Sequence, residues 1–204
     1  PIANGPEEPL AVDLSVSPAS AVDFATYTGE TVQLFNASVT GIEGAQATYR
    51  AAITSEDGNK HVELKVNSAK LTVDTKELEN AVVSLYGRRP IARTIPVQVV
   101  GLVNVNGMSI ATKGTTTLTA TPNAPVIEDA YYITGSINGW NNTNTSYELN
   151  NGGSDAYENP VFTVMIPASV VTGDFEFKGT PKSGLGGDWS KCLAGGDEGK
   201  FKYN

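Results

Sequence analysis

Hydrophobic and polar residues alternate in short runs through the first 120 or so positions of the chain. The runs, each about the length of a β-strand, are AVDLSVS, TVQLFNASV, ATYRAAIT, VELKV, KLTVDT, TIPVQVVGLV and TTTLTAT. Turn sequences such as Asp57-Gly58-Asn59 and Asn106-Gly107 separate them. Short alternating strands with regular turns are typical of an antiparallel sandwich, so we predict an all-β fold here.

One segment, residues 74–87, has a helical pattern instead. Asp74 can cap the first turn, and Glu77 follows three residues later as in a capping box. Apolar residues then recur at helical spacing, at Leu78, Val82 and Leu85. Gly87 can end the helix. We predict a short helix that lies over an end or an edge of the sandwich.

The sequence around residues 120–130, ATPNAPVIEDA, interrupts the strand pattern with two prolines and an asparagine. We interpret residues 123–127 as a linker. Residues 10–122 then form an immunoglobulin-like β-sandwich, preceded by a tether at 1–9, and residues 128–204 form a second β unit. The strands expected in this second unit are AYYITGS, VFTVMIP, DFEFKGT and GKFKYN.

The second unit is short for a β-sandwich. Four or five strands in about 75 residues give only a small core. Its last strand pattern, KFKYN, stands at the very end of the sequence. We therefore expect a second β-sandwich that is truncated at its C-terminus.

Charge and composition exclude several classes of function. The formal net charge is −8, whereas nucleic-acid binding needs clusters of Lys and Arg. No apolar run approaches the ~18 residues of a membrane-spanning helix. A single cysteine cannot form a disulfide within the chain, so a disulfide scaffold is excluded.

Few residues suggest catalysis or metal binding. His61 is the only histidine and follows a turn, so we expect a solvent-facing strand residue. Cys192 is expected to be a small core residue. The carboxylates are scattered, which argues against a glycosidase, although a calcium site at Asp155, Glu158 or Asp188 is an alternative. We predict a protein that is not an enzyme and has no cofactor and no metal.

Both tryptophans of the chain lie in the second unit, among small polar residues. Trp140 is in INGWNNTN and Trp189 is in GLGGDWSKC. An exposed indole offers a flat apolar surface on which the C–H face of a pyranose can stack. The alternative is that each ring folds back and covers the core of its own domain.

A family resemblance extends over the same residues. The segment YYITGSINGWNN (131–142) resembles the strand-and-turn signature of the starch-binding domains in SusE/SusF-like outer-membrane lipoproteins of Bacteroidetes. Residues 162–196 resemble the pattern downstream in that family: an apolar strand, Phe-x-Phe-Lys, a Gly-rich loop, Trp and Leu-Ala-Gly. The preceding sandwich is similar to the family's N-terminal immunoglobulin-like domain.

The resemblance implies that the second unit is a carbohydrate-binding-type β-sandwich, and it implies six carbohydrate-binding residues. They are an aromatic platform and four polar candidates for hydroxyl groups: Trp140, Trp189, Lys178, Lys191, Asn138 and Asn141. Two of these have other interpretations. Lys178 can be an ordinary surface lysine of its strand, and Asn138 with Gly139 can simply form the turn.

The function implied is non-catalytic binding of a starch-like α-glucan or another polysaccharide at the cell surface, within a glycan-uptake system. The full-length protein would be anchored in the outer membrane by a lipid. Its partners would be a TonB-dependent transporter and a companion glycan-binding lipoprotein. The alternative is a structural, adhesin-type immunoglobulin-like spacer with both tryptophans in cores and no sugar site.

Overall fold

The computed structural model describes residues 11–105, 107–195 and 201–203, the last three by their backbone alone. The chain divides into two compact units, Pro1–Pro125 and Val126–Asn204.

The first unit contains the strands that the alternating runs predict. They are β1 (Asp13–Pro18), β2 (Val22–Asp23), β3 (Thr31–Gln33), β4 (Phe35–Thr40), β5 (Gln46–Thr54), β6 (His61–Leu64), β7 (Thr72–Asp74), β8 (Arg93–Val105) and β9 (Met108–Thr121). A helix, α1 (Thr75–Tyr86), lies between β7 and β8. The prediction of an all-β fold with one short helix is confirmed.

The strands of the first unit form three sheets. The largest has five strands in the order β2-β9-β8-β5-β6, and smaller sheets pair β1 with β4 and β3 with β7. These pairings are antiparallel except β2 with β9. β1 packs closely over β9, since a Cβ added to Gly114 would lie 2.8 Å from Val16 Cγ2. The pair β1-β4 therefore faces the large sheet as the second layer of a sandwich.

Alternation along β8 shows why these residues form a sandwich. Ile95, Val97 and Val99 are buried, while the residues between them are more exposed. The buried side chains meet Leu34, Phe35 and others in one core. Burial of each large aliphatic side chain contributes about 1.5–3 kcal/mol, which makes this core the main stabilising term of the unit.

The helix begins and ends where its sequence predicts. Asp74 accepts a hydrogen bond from the Glu77 backbone N–H at 2.8 Å. Gly87 adopts a positive φ of 79° and donates its N–H to Val83 O. Leu78 and Val82 are fully buried in the core of the unit.

The second unit is built on one antiparallel sheet. Its strands are β10 (Tyr131–Gly135), β11 (Glu148–Leu149), β12 (Phe177–Pro181), β13 (Leu193–Gly195) and β14 (Phe201–Tyr203), in the order β11-β10-β12-β13-β14. One sheet face borders an apolar cavity of about 390 Å³, lined by Tyr131, Ile133 and Phe177 among others. Phe162 packs edge-on against Tyr131 at 5.1 Å between ring centroids.

The opposite face of this sheet buries a small polar cluster. The hydroxyl groups of Thr134 and Thr180 are 2.7 Å apart, and Cys192 Sγ lies 3.4 Å from Thr180 Oγ1. Cys192 is fully buried, so the expectation of a core cysteine is confirmed. The cluster satisfies hydroxyl groups that would otherwise be costly to bury.

One predicted strand of the second unit is wrong. In VFTVMIP only Thr163 pairs, in an isolated bridge with Asn150. Val161 is 63% exposed and Met165 is 92% exposed. The side chains alternate in burial, but a strand also needs a neighbour along its length to accept and donate backbone hydrogen bonds. Of the segment GKFKYN, Phe201–Tyr203 form a strand, and the flanking residues lie outside the described part.

Substitution of Gly135 by alanine is expected to destabilise the second unit. An added Cβ would lie 2.1 Å from Glu176 O and 2.8 Å from Phe177 Cα, so β10 and β12 would have to separate. Such overpacking typically costs about 1–3 kcal/mol of unfolding free energy. Urea denaturation followed by tryptophan fluorescence measures it. Gly195→Ala is the matched control, because no atom of the described residues lies within 4 Å of its added Cβ; an equal effect of both variants would contradict the prediction.

The turn between β5 and β6 is expected to make stability pH-dependent. Asp57 accepts hydrogen bonds from Ser55 Oγ and from the backbone and side chain of Asn59, which lower the pKa of Asp57 to about 2. Because its folded-state pKa lies below the ordinary 3.8, the stabilisation is present above that pH and is lost as the pH falls towards about 2. The melting temperature of Asp57→Asn should therefore be lower than that of the wild type at pH 7. The difference should shrink between pH 4 and pH 2 in calorimetry, and a constant difference would refute this origin.

Candidate functional site

Trp140 lies at the end of a tight turn that follows β10. After Gly135 the chain forms a single turn of 3-10 helix, Ser136–Asn138, and Gly139 and Trp140 then adopt left-handed φ values of 60° and 58°. The Trp140 N–H donates to Gly135 O at 2.9 Å and closes the turn. A left-handed conformation costs a residue with a side chain about 1–2 kcal/mol. Such strain is concentrated at functional sites, and Trp140 is 40% exposed.

Asn138 holds this turn together with both ends of its amide. Its Oδ1 accepts the Gly135 N–H at 2.9 Å, and its Nδ2 donates to Ile133 O at 2.8 Å. Both contacts are to the backbone of β10. Of the two roles that the sequence left open for Asn138, these contacts favour the formation of the turn.

Asn141 differs from Asn138 in where its side chain points. It is exposed, and its Oδ1 accepts from the backbone N–H and the hydroxyl of Thr143 at 3.0 and 2.7 Å. Asn144 makes the same kind of local bond to Ser146 N. The run of Asn, Thr and Ser beside Trp140 is thus a series of short turns stabilised by their own side chains. Among the residues that the structure describes, none accepts a hydrogen bond from Asn141 Nδ2, so that group is available to a ligand.

Trp189 begins a second one-turn 3-10 helix, Trp189–Lys191. Gly186 and Gly187 precede it with φ values of 94° and 115°. Trp189 is 38% exposed. Lys178 extends from β12, opposite Thr134 of β10, and its Nζ lies 5.9 Å from the centroid of the Trp189 ring. This is a cation–π contact.

A network of polar groups attaches the Trp189 loop to the rest of the unit. The Glu128 carboxylate accepts the Ser183 N–H at 2.8 Å and also the Ser183 hydroxyl. Lys191 Nζ donates to Ser183 O at 3.3 Å and lies 3.7 Å from Asp188 Oδ2. Lys191 therefore contributes to the structure of its loop. Sequence reasoning missed Glu128, because its partner is 55 residues away and no local pattern marks the pair.

The carboxylate of Asp188 is stabilised in its ionised form. The Ser190 hydroxyl donates to Asp188 Oδ1 at 2.6 Å and, with a smaller contribution from nearby Lys191, lowers the pKa of Asp188. A carboxylate held ionised in this way cannot supply a proton near neutral pH. This makes Asp188 unsuited to be the general acid of a glycosidase.

The remaining candidates for catalysis or metal binding show no arrangement that would support either function in the described residues. His61 is the exposed first residue of β6 and pairs with Thr54, as expected. Within the described residues, no group of three or more His, Cys, Asp or Glu side chains could hold a metal ion. Of the helices in the described part of the chain, none has the length and apolar character needed to cross a bilayer.

The arrangement presents two half-exposed indoles on loops that are fixed by hydrogen bonds. Polar groups accompany both rings: Asn141 follows Trp140 closely, and Lys178 lies over Trp189. A flat apolar surface beside hydrogen-bond donors suits a ligand with an apolar face and hydroxyl groups at its edge.

Comparison with known proteins gives matches along almost the whole chain. Residues 1–122 match a family model described as "Outer membrane protein SusF, N-terminal domain". Residues 126–201 match a model described as "SusF, first starch specific CBM", a carbohydrate-binding module. No curated protein sequence matches the chain significantly.

Among solved structures, the crystal structure of SusF from Bacteroides thetaiotaomicron is similar. The two proteins are 19% identical, and their TM-score is 0.48. The match covers 92% of this chain and 43% of that one, so the chain spans less than half the length of its structural relative. Since the model for the N-terminal domain extends over residues 1–122, which is more than half of the chain, the protein belongs to the family of the outer-membrane protein SusF.

Proposed function

We propose that this protein binds starch-like α-glucan without cleaving it, through Trp140 and Trp189 of its second unit. The observation that carries the proposal is the exposure of Trp140 in a left-handed conformation, held there by its own turn. The match of residues 126–201 to a starch-specific carbohydrate-binding module supports the same ligand class.

Binding would use stacking first and hydrogen bonds second. The C–H face of a glucose residue is apolar and fits the flat indole, while its hydroxyl groups point outward from the ring edge. The Nδ2 group of Asn141 is the polar group best placed in sequence and exposure to donate to such a hydroxyl next to Trp140. Because the loop of Trp140 is already ordered, little conformational entropy is lost on binding.

Affinity for each site would be modest. Stacking and a few exposed hydrogen bonds leave only a small surplus over the entropy lost on association. A glucan chain has many identical glucose residues, so several sites on one protein or on neighbouring proteins can engage one chain. The resulting avidity can exceed the affinity of each site by a large factor.

In the cell this binding would serve glycan uptake at the surface of the outer membrane. The family description, which names an outer-membrane protein, supports this location. The lipid anchor is proposed from the resemblance to surface lipoproteins. A TonB-dependent transporter and a companion glycan-binding lipoprotein are the partners we propose. The first unit would act as a spacer between the membrane and the binding unit.

Removal of the Trp140 ring is expected to weaken glucan binding by at least roughly tenfold, or about 1.4 kcal/mol. Trp140→Ala deletes the stacking surface, and the unit should still unfold cooperatively in urea because the ring is not part of the buried core. Binding to maltoheptaose can be measured by isothermal titration calorimetry and by the change in tryptophan fluorescence.

The control for that experiment is Met165→Ala, which removes another exposed apolar side chain of the same unit. It should bind maltoheptaose as the wild type does. If the wild type shows no fluorescence change with any of a broad panel of glycans, the proposal fails and a structural spacer explains the protein better.

The two asparagines beside Trp140 are expected to respond differently. Asn138→Ala removes both bonds to the backbone of β10 and should lower the unfolding free energy of the unit by roughly 1–3 kcal/mol. Asn141→Ala should change stability less, since its bonds lie within an exposed turn, but it should weaken binding severalfold. Urea denaturation and calorimetric titration of both variants separate the roles. A stable Asn138→Ala with impaired binding would reverse the assignment.

A further inference from the structure

The cation–π contact between Lys178 and Trp189 joins a strand to a loop. Lys178 is part of β12, a central strand of the sheet, and it is half-buried. Trp189 lies in a loop whose backbone includes two consecutive glycines in left-handed conformations. The side chain of Lys178 therefore connects the sheet with this loop, at a distance of 5.9 Å from the ammonium nitrogen to the ring centroid.

Within the described part of the chain, the Trp189 ring is the contact recorded for the ammonium group of Lys178. No ion pair joins Lys178 to a carboxylate there, although Glu176 is two residues away along the chain. Asp188, next to Trp189, is occupied by Ser190 and Lys191. The ammonium group of Lys178 therefore lies over the indole of Trp189, while the carboxylate of Asp188 in the same loop contacts Ser190 and Lys191.

The two tryptophans are fixed by different means. Trp140 is set by its backbone, through its N–H bond to Gly135 and the two bonds of Asn138. For Trp189 the backbone bond is a short local one, from its N–H to Gly187 O at 3.0 Å, and Lys178 adds a contact to the face of the ring itself. A cation–π contact favours the side-chain torsions that keep the ring beneath the ammonium group.

We propose that Lys178 is a positioning residue for Trp189: its ammonium group holds the indole in the orientation that accepts a sugar. Less conformational entropy is then lost when a ligand binds to the ring. The inference rests on the proposed glucan-binding function and refines it. In a direct role, Lys178 would donate a hydrogen bond to a glucose hydroxyl. In the positioning role proposed here, Lys178 affects binding only through the ring of Trp189.

The first test needs no ligand. Lys178→Met keeps a long unbranched side chain and removes the charge, whereas Lys178→Arg keeps a cation that can lie over an indole. The NMR order parameter of the Trp189 indole N–H, with Trp140 replaced by phenylalanine to simplify the assignment, should fall in Lys178→Met and stay near the wild-type value in Lys178→Arg. An unchanged order parameter in Lys178→Met overturns the inference, whether or not the protein binds glucan.

The second test measures the affinity for maltoheptaose by calorimetry. Lys178→Met should weaken binding roughly two- to fivefold, as expected for the loss of one exposed cation–π contact, and Lys178→Arg should retain the affinity. In a Trp189→Ala background, Lys178→Met should have no further effect. If it weakens binding there as much as in the wild type, Lys178 contacts the sugar directly and the inference is overturned.

The two tests distinguish the failure of this inference from the failure of the proposed function. If maltoheptaose binds with Trp140-dependent affinity but Lys178→Met leaves the ring ordered, the positioning role fails and glucan binding stands. If no glycan binds while Lys178→Met still releases the ring, the contact exists in the free protein but serves no glucan site, and the positioning role is overturned together with the proposed function.

Discussion

The hydrogen bonds that close the turn after β10 determine the candidate site. Trp140 donates to Gly135 O, and Asn138 binds the backbone of β10 at both Gly135 and Ile133. β10 itself is held between β11 and β12, so the turn inherits the rigidity of a paired strand. Gly135 permits this arrangement because β12 passes too close for a side chain.

Different contacts hold the loops that carry Trp140 and Trp189. Next to Trp140, local bonds within a few residues fix the backbone and direct the ring outward. Around Trp189, local bonds are joined by contacts from outside the loop: Glu128 accepts hydrogen bonds from Ser183, and Lys178 lies over the ring. Local turns form from their own sequence, whereas the second loop depends on the sheet having folded first. A mutation in the sheet should therefore disturb Trp189 more than a mutation in the loop's own polar residues.

Alternation of apolar and polar residues was enough to predict the strands of the first unit, but it was not enough for those of the second. In β8 and β9 each alternating run has a long antiparallel neighbour, and the buried faces close one core. In VFTVMIP the same alternation meets a partner only at Thr163. The pattern states which side chains would face inward, but strand formation also requires the backbone groups to be paired, and that depends on what lies alongside.

The sequence by itself determined the all-β class, the position and both ends of α1, and the Asn-Gly turn before Trp140, because periodicity, capping and turn residues act over a few positions. Its motifs also pointed to the family, and they made the two tryptophans the candidates for sugar binding. Only the structure decided which of its two roles Asn138 takes, that Lys191 contacts Ser183 and Asp188, and that Glu128 anchors the Trp189 loop. An asparagine beside a glycine suits both a turn and a ligand contact, so its sequence position does not choose between them. Glu128 and Ser183 are 55 residues apart, and they meet only because the fold brings distant segments together.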